Sequence, residues 1–160
     1  MNVQYRRLTR DELHELEKEF VDFLVINGIT ADEWVKMKSD APEKADRMID
    51  LFSDVVFEGI FRKVKYLEFI SDNEVMTFQC LEKKIVLVGL ECTDEKYNLS
   101  DPNTVRSFSR KIPDHVKVFQ TDKEYKKKRE VELYEMTQRG CTIGDGKLFK
   151  DLSLLYSASV

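Results

Sequence analysis

Val64-Lys65-Tyr66-Leu67-Glu68-Phe69-Ile70-Ser71-Asp72-Asn73-Glu74-Val75-Met76-Thr77-Phe78-Gln79-Cys80-Leu81-Glu82-Lys83-Lys84-Ile85-Val86-Leu87-Val88-Gly89-Leu90-Glu91 is the stretch that decides the fold. Before it, apolar residues recur every three or four positions; within it the beat shortens to two. Residues 64–70, 74–80 and 84–91 are rich in valine, isoleucine and aromatics, and short polar segments separate them. Ser71-Asp72-Asn73 and Leu81-Glu82-Lys83 read as turns, so the stretch predicts a three-stranded antiparallel meander. Ile85-Val86-Leu87-Val88 is apolar on both faces, which places the third strand inside the sheet. Val116, Val118 and Phe119 mark a fourth strand.

Upstream the pattern is helical. Leu8-Thr9-Arg10-Asp11-Glu12-Leu13 and Ile29-Thr30-Ala31-Asp32-Glu33-Trp34 spell the same helix start. In each, the threonine hydroxyl can accept from the N–H three residues on, and the glutamate there can reach back to the threonine N–H. Leu13, Leu16, Phe20, Phe23 and Leu24 continue the first helix as one stripe, which Asn27-Gly28 stops. Asp40-Ala41-Pro42-Glu43 starts a third helix. Its stripe is Ala45, Met48, Ile49, Phe52, Val55, Val56 and Ile60, ending near Arg62. A short helix is expected before Pro113. Thr121-Asp122-Lys123-Glu124 repeats the capping pattern and predicts a long charged helix to Arg139. Leu148, Phe149, Leu152, Leu155 and Tyr156 predict a short C-terminal helix. The expected architecture is α+β, a single domain over residues 1–160, with the helices covering the sheet.

Composition narrows the function classes. The 160 residues are 42% apolar and 35% charged, with 30 acids against 26 bases. That balance gives no global attraction to nucleic acid or an anionic membrane. Cys80, Cys92 and Cys141 form no Cys-x-x-Cys pair, and His14 and His115 are far apart, so neither a disulfide framework nor a zinc site is expected. Reduced thiols, no apolar leader and no run near the ~20 residues that span a bilayer fit a cytoplasmic protein.

Four motifs invite chemistry. Lys123-Glu124-Tyr125-Lys126-Lys127-Lys128-Arg129 could present a basic helix face with a stacking tyrosine to nucleic acid. Glu124, Glu130 and Glu132 lie four residues from Lys128 or Lys126 and neutralise it on a helix, which disfavours that use. Gly144-Asp145-Gly146-Lys147 is not a phosphate loop: its first glycine would be Cys141 and its hydroxyl residue Leu148. Asp11-x-x-His14 lacks the second copy that a helical metal site needs. Glu58, Asp72, Glu82 and Lys84 follow an element order that resembles the restriction-endonuclease-like nucleases. That resemblance implies magnesium held by Asp72 and Glu82, with Lys84 orienting water and Glu58 in support. Acidic-x-lysine recurs at Asp94/Lys96, Glu124/Lys126 and Asp145/Lys147, so the pattern is cheap in this chain.

Tyr5-Arg6-Arg7-Leu8-Thr9-Arg10-Asp11-Glu12-Leu13, Glu19-Phe20-Val21-Asp22-Phe23-Leu24 with Asn27-Gly28-Ile29, and Gly144-Asp145-Gly146-Lys147-Leu148-Phe149 carry one further likeness. Over nearly the whole chain the sequence resembles an uncharacterised family of small proteins from Bacteroidetes-type bacteria. The resemblance implies a bacterial cytosolic origin and brings no activity, ligand or catalytic residue. By elimination, the expected function is a non-catalytic interaction or structural module without a cofactor, using a protein partner or self-association. The alternatives are a magnesium-dependent nuclease or phosphodiesterase through Glu58, Asp72, Glu82 and Lys84, and a nucleic-acid-binding module through the Lys123–Arg129 helix.

Overall fold

Both predicted capping boxes close in the structure, a computed structural model that describes residues 4–160. Thr9 Oγ1 accepts from Glu12 N at 3.2 Å and Glu12 Oε1 from Thr9 N at 2.7 Å. Thr30 and Glu33 repeat the exchange at 3.2 and 2.8 Å. Arg6 also donates to the Glu12 carboxylate and, with the Thr9 N–H, holds it down to about 2. Seven helices and five strands are present among the described residues, an α+β fold. The chain divides after Arg62 into two units.

Unit 1 holds α1 (Arg10–Glu15), α2 (Glu17–Ile26), α3 (Ala31–Asp40) and most of α4 (Pro42–Lys63). The single first helix expected from the stripe is interrupted at Leu16, at φ −104° and ψ 24°, and no glycine or proline marks the place. At the end of α2, Gly28 takes φ +78°. Ile29 N then donates to Leu24 O and Gly28 N to Val25 O, the double closure of a left-handed cap. Phe20 meets Trp34 edge-on at 5.2 Å and Phe52 at 5.0 Å, so Trp34 joins the aromatic core.

The buried stripe of α4 runs through Ala45, Phe52, Ser53, Phe57 and Phe61, while Val55 and Ile60 of the predicted stripe are exposed. The rotation follows from the segment before α1. Tyr5 lays its ring against Phe57 and Phe61 and donates its hydroxyl to Glu58 at 2.6 Å. The Asp54 carboxylate accepts the N–H groups of Gln4 and Tyr5. Ser53, fully buried, accepts from Leu8 N and donates to Ile49 O. A serine that satisfies two backbone groups can be buried at little cost.

Unit 2 is built on one antiparallel sheet in the order β4-β3-β2-β1-β5. Its strands are β1 (Tyr66–Ile70), β2 (Glu74–Cys80), β3 (Lys84–Cys92), β4 (Val116–Glu124) and β5 (Thr142–Gly144). The meander forms in the predicted order, β3 is interior, and β5 is a fifth strand the sequence pattern did not signal. α5 (Pro102–Ser107) and α7 (Lys147–Ser159) supply the layer over one face. Val75, Val88, Leu90 and Cys92 of the sheet pack with Val105 and Phe108 and with Phe149, Leu152 and Leu155 of α7. Fully buried Thr77 stays satisfied by donating to Val88 O at 2.7 Å.

The long charged helix is corrected. Residues 121–124 continue β4, and α6 spans only Arg129–Gln138. Every residue from Val116 to Glu124 has a register partner in β3, so residues 121–124 are held extended in the ladder and cannot turn into the cap that Thr121 would start. Arg129 then locks the connection: its guanidinium donates to the carbonyls of Val64, Cys80 at 2.9 Å and Leu81 at 3.1 Å. Tyr125 donates its hydroxyl to Leu81 O at 2.8 Å, and burial pushes that phenol up to about 12. No helix among the described residues is long and apolar enough to cross a membrane.

Arg129→Met removes the guanidinium donors from three carbonyls at once, leaving Leu81 O with Tyr125, and should cost about 2–4 kcal/mol in urea unfolding, the scale of charge-assisted bonds lost at a half-buried site. Arg129→Lys should recover less than half of that, because an ammonium cannot reproduce the planar fork. Full rescue by lysine would show that charge, not donor geometry, sets the contribution.

Candidate functional site

The Gly144-Asp145-Gly146 turn, dismissed as a phosphate loop, lies beside a polar-rimmed recess in unit 2, to whose lining Asp145 belongs. β1 and β5 pair antiparallel with Tyr66 opposite Gly144 and Glu68 opposite Thr142. The side chains of Tyr66 and Glu68 therefore share one sheet face and lean across the β5 end. A Cβ on Gly144 would sit 2.5 Å from Glu68 Oε2 and 2.9 Å from its Cγ. One on Gly146 would run into the Tyr66 ring, and Gly146 also holds φ +90°. The two glycines thus open room for Glu68 and Tyr66, and they bracket Asp145 beside the glutamate. Tyr66 continues onto Phe149 at 5.6 Å, which ties β1 to the first turn of α7.

The recess lies between α5 and α7 and encloses about 700 Å³. Its apolar lining includes Ile70, Val75, Leu99, Val105, Leu148 and Leu155; Leu154, at 71% exposure, stands at the mouth. Glu68, Asp145 and Asp151 bring carboxylates to the wall, and Arg106 and Lys147 bring cations. Burial, and after it the charge of Asp145, raise the Glu68 carboxyl above its ordinary range. Asp145 Oδ1 accepts the Lys147 N–H at 2.9 Å, which fixes its side chain over the start of α7. The β1–β2 turn holds the opposite wall: Leu99 N donates to Asp72 O at 2.7 Å and so anchors the loop that leads into α5.

No histidine, cysteine or aromatic ring is among the described residues that line the recess. Its two serine hydroxyls are spent locally, Ser100 on Asn98 Oδ1 at 2.6 Å and Ser109 on Arg106 O at 2.9 Å. A nucleophile needs a base within hydrogen-bond reach, and neither serine has one.

The nuclease-like set does not assemble. Asp72 sits exposed in the β1–β2 turn and Glu82 exposed in the β2–β3 turn. These turns lie at opposite ends of seven-residue β2, about 20 Å apart at the strand rise, far beyond what one magnesium ion can bridge. Glu82 precedes the first residue of β3, so it shares no strand face with Lys84, whose Nζ instead meets Asp122 Oδ2 at 3.2 Å. Glu58 belongs to unit 1, where it accepts from Tyr5 and meets Arg62 at 3.5 Å. The basic Lys123–Arg129 stretch is likewise corrected. It is a strand end, a connector and one helical residue rather than a helix face, with Arg129 and Tyr125 engaged on backbone carbonyls. Lys127 Nζ pairs with Glu135 at 2.6 Å. Cys80 and Cys92 are buried, and burial pushes the Cys80 thiol up to about 12. No group of three or more His, Cys, Asp or Glu able to hold a metal ion occurs among the described residues.

Sequence reasoning missed Glu68, Asp145 and the α5–α7 recess because they are joined only by the β1–β5 pairing. The doubled glycine was the available signal: glycines on both sides of an aspartate mark close approach as well as a turn.

Gly144→Ala should change stability by less than about 1 kcal/mol, since the flexible Glu68 side chain can swing away from its Cγ outward, whereas Gly146→Ala should cost about 1–3 kcal/mol through its left-handed φ and the Tyr66 ring. Denaturant melts of the pair check this; equal costs would place the constraint elsewhere. A second expectation concerns pH. A carboxyl whose folded proton affinity exceeds its unfolded one adds stability below the unfolded range, and that stability is lost as pH rises through the folded range. Glu68→Gln should therefore gain in Tm over the native chain as pH goes from about 4 to about 7. A pH-independent difference would mean that Glu68 is fully solvated.

No curated protein and no solved structure matches the chain. Residues 1–157, all but the last three, match a family of unknown function (DUF6495), and the chain belongs to that family.

Proposed function

We propose that this protein is a non-catalytic binding module whose ligand occupies the recess between α5 and α7. The observation that carries the reading is the recess itself: about 700 Å³, floored by aliphatic side chains and rimmed by a few charges. Pockets that hold small molecules span roughly 300–1,000 Å³ and combine an apolar lining with a few placed polar groups. The committed serine hydroxyls and the lining free of histidine and cysteine support binding over turnover.

A neutral apolar dye such as N-phenyl-1-naphthylamine should bind saturably, with one site per chain. Leu154→Glu, at the mouth and exposed, should weaken the dye about tenfold while leaving Tm unchanged, because the ligand must then desolvate a charge. Absence of saturable binding, or binding indifferent to Leu154→Glu, removes the reading.

A second reading, self-association, is favoured by unit 1. Val21, Val25 and Ile26 of α2 and Val35 of α3 are exposed, Ile26 at 84%. Sedimentation should give a mass above the monomer that Val25→Asp returns to the monomer; a native monomer at high concentration ends this reading.

A further inference from the structure

We infer that the ligand of the α5–α7 recess is a small amphiphilic amine, its hydrocarbon body on Ile70, Val75 and Leu148 and its ammonium group against Glu68 and Asp145. The inference rests on the recess being a binding site, as proposed above, and adds what the site selects.

The apolar lining alone would accept any hydrocarbon; the charges choose among them. Among the described residues, no side chain of the chain donates a hydrogen bond to the Glu68 carboxylate or forms an ion pair with it. Asp145 receives one backbone N–H, from Lys147, and no cation is paired with it. Glu68 is half-buried and lies over Gly144, and the charge of exposed Asp145 adds to its raised proton affinity, so a carboxylate partly stripped of water faces a second one at the rim. A cation seated between them gains from both carboxylates in a medium less polarisable than water. The raised proton affinity of Glu68 expresses the same deficit.

An anionic ligand would have to use Arg106 and Lys147. Both are exposed, and Arg106 already donates to Asn103 Oδ1 at 3.3 Å, so neither is partly stripped of water as Glu68 is. A carboxylate between them would also lie in the field of Glu68, Asp145 and Asp151. A bare divalent ion would leave the aliphatic floor unused and would find two carboxylates where most protein sites offer more oxygen ligands. An amine with an aliphatic body uses the floor and the carboxylates together, and its single charge matches a pair of acids that shares the recess with two cations.

The test compares three ten-carbon probes below their aggregation thresholds: decylamine, decanol and decanoate. Each competes against the neutral dye, with the native chain, Glu68→Gln and Asp145→Asn. Decylamine should bind about tenfold tighter than decanol, and decanoate weakest. Each substitution should erase most of the amine preference while leaving decanol affinity within about twofold. Equal binding of all three probes keeps the recess as a site and overturns the inference, as does tighter binding of decanoate. A preference that survives both substitutions reflects the net charge of −4 rather than this pair, and also overturns it. Displacement of decylamine by magnesium chloride, but not by sodium chloride of equal ionic strength, would reassign the carboxylates to a metal. If no probe binds, the binding-module reading falls along with the inference.

Discussion

The three-residue pairing of β5 with β1 is the constraint on which the rest of the recess depends. It sets Gly144 opposite Tyr66, and with that register fixed the side chains of Tyr66 and Glu68 must cross the turn that follows β5. A side chain at either Gly144 or Gly146 would occupy the volume they need. The register therefore determines where α7 begins, because Tyr66 seats Phe149, and Phe149 leads the buried stripe of Leu152 and Leu155 over the sheet. It also determines which charges meet, since Asp145 is held between the glycines at the distance from β1 that they allow. β5 is too short to be stable by itself. It persists because the helices on either side of it, α6 and α7, are anchored by their own packing, Leu133 and Leu152 being fully buried.

Local instructions survived into the structure wherever no distant partner competed for the same backbone groups. Thr9 and Thr30 cap helices in unit 1, where nothing but solvent would otherwise take those N–H groups, and both reciprocal boxes close. Thr121-Asp122-Lys123-Glu124 carries the same signal and is strand, because β3 offers a ladder of partners along its entire length. The two turns of the meander show the same division. Ser71-Asp72-Asn73 and Leu81-Glu82-Lys83 are legible as turns from their own residues. That Asp72 O would anchor the loop before α5 is not legible, since Leu99 lies more than twenty residues away and nothing in the intervening sequence specifies the bond.

The helical beat was legible in period but not in phase. For α4 the apolar positions permit more than one buried face, and Tyr5 decides among them by covering Phe57 and Phe61, which leaves Val55 and Ile60 in solvent. The same limit explains the candidate site. Spacing arguments find residues that share a helix turn or a strand face; Glu68 and Asp145 share neither. The sequence does record that something unusual happens around Asp145, through two glycines in three residues, but the partner that makes those glycines necessary stands on a strand more than seventy residues earlier.

Fold maintenance and binding place opposite demands on that partner. A residue kept only for the sheet would be apolar at Glu68, which faces the α7 side of β1 between the fully buried Leu67 and half-buried Phe69 on the other face. On the same face Val75 and Val88 obey that rule and are buried, and polar Thr77, directly across from Glu68, is buried with its hydroxyl satisfied by Val88 O. Glu68 departs from it. Its carboxylate loses part of its hydration, gains a like-charged neighbour and receives no compensating bond from the described chain, a combination that lowers stability at neutral pH. On the proposed reading, this locally unfavourable electrostatics held by a packed framework is what the binding site asks of the fold, and a ligand supplies the missing counter-charge. Arg129 makes the contrast within the same unit: its charge is met by carbonyls that the chain itself provides.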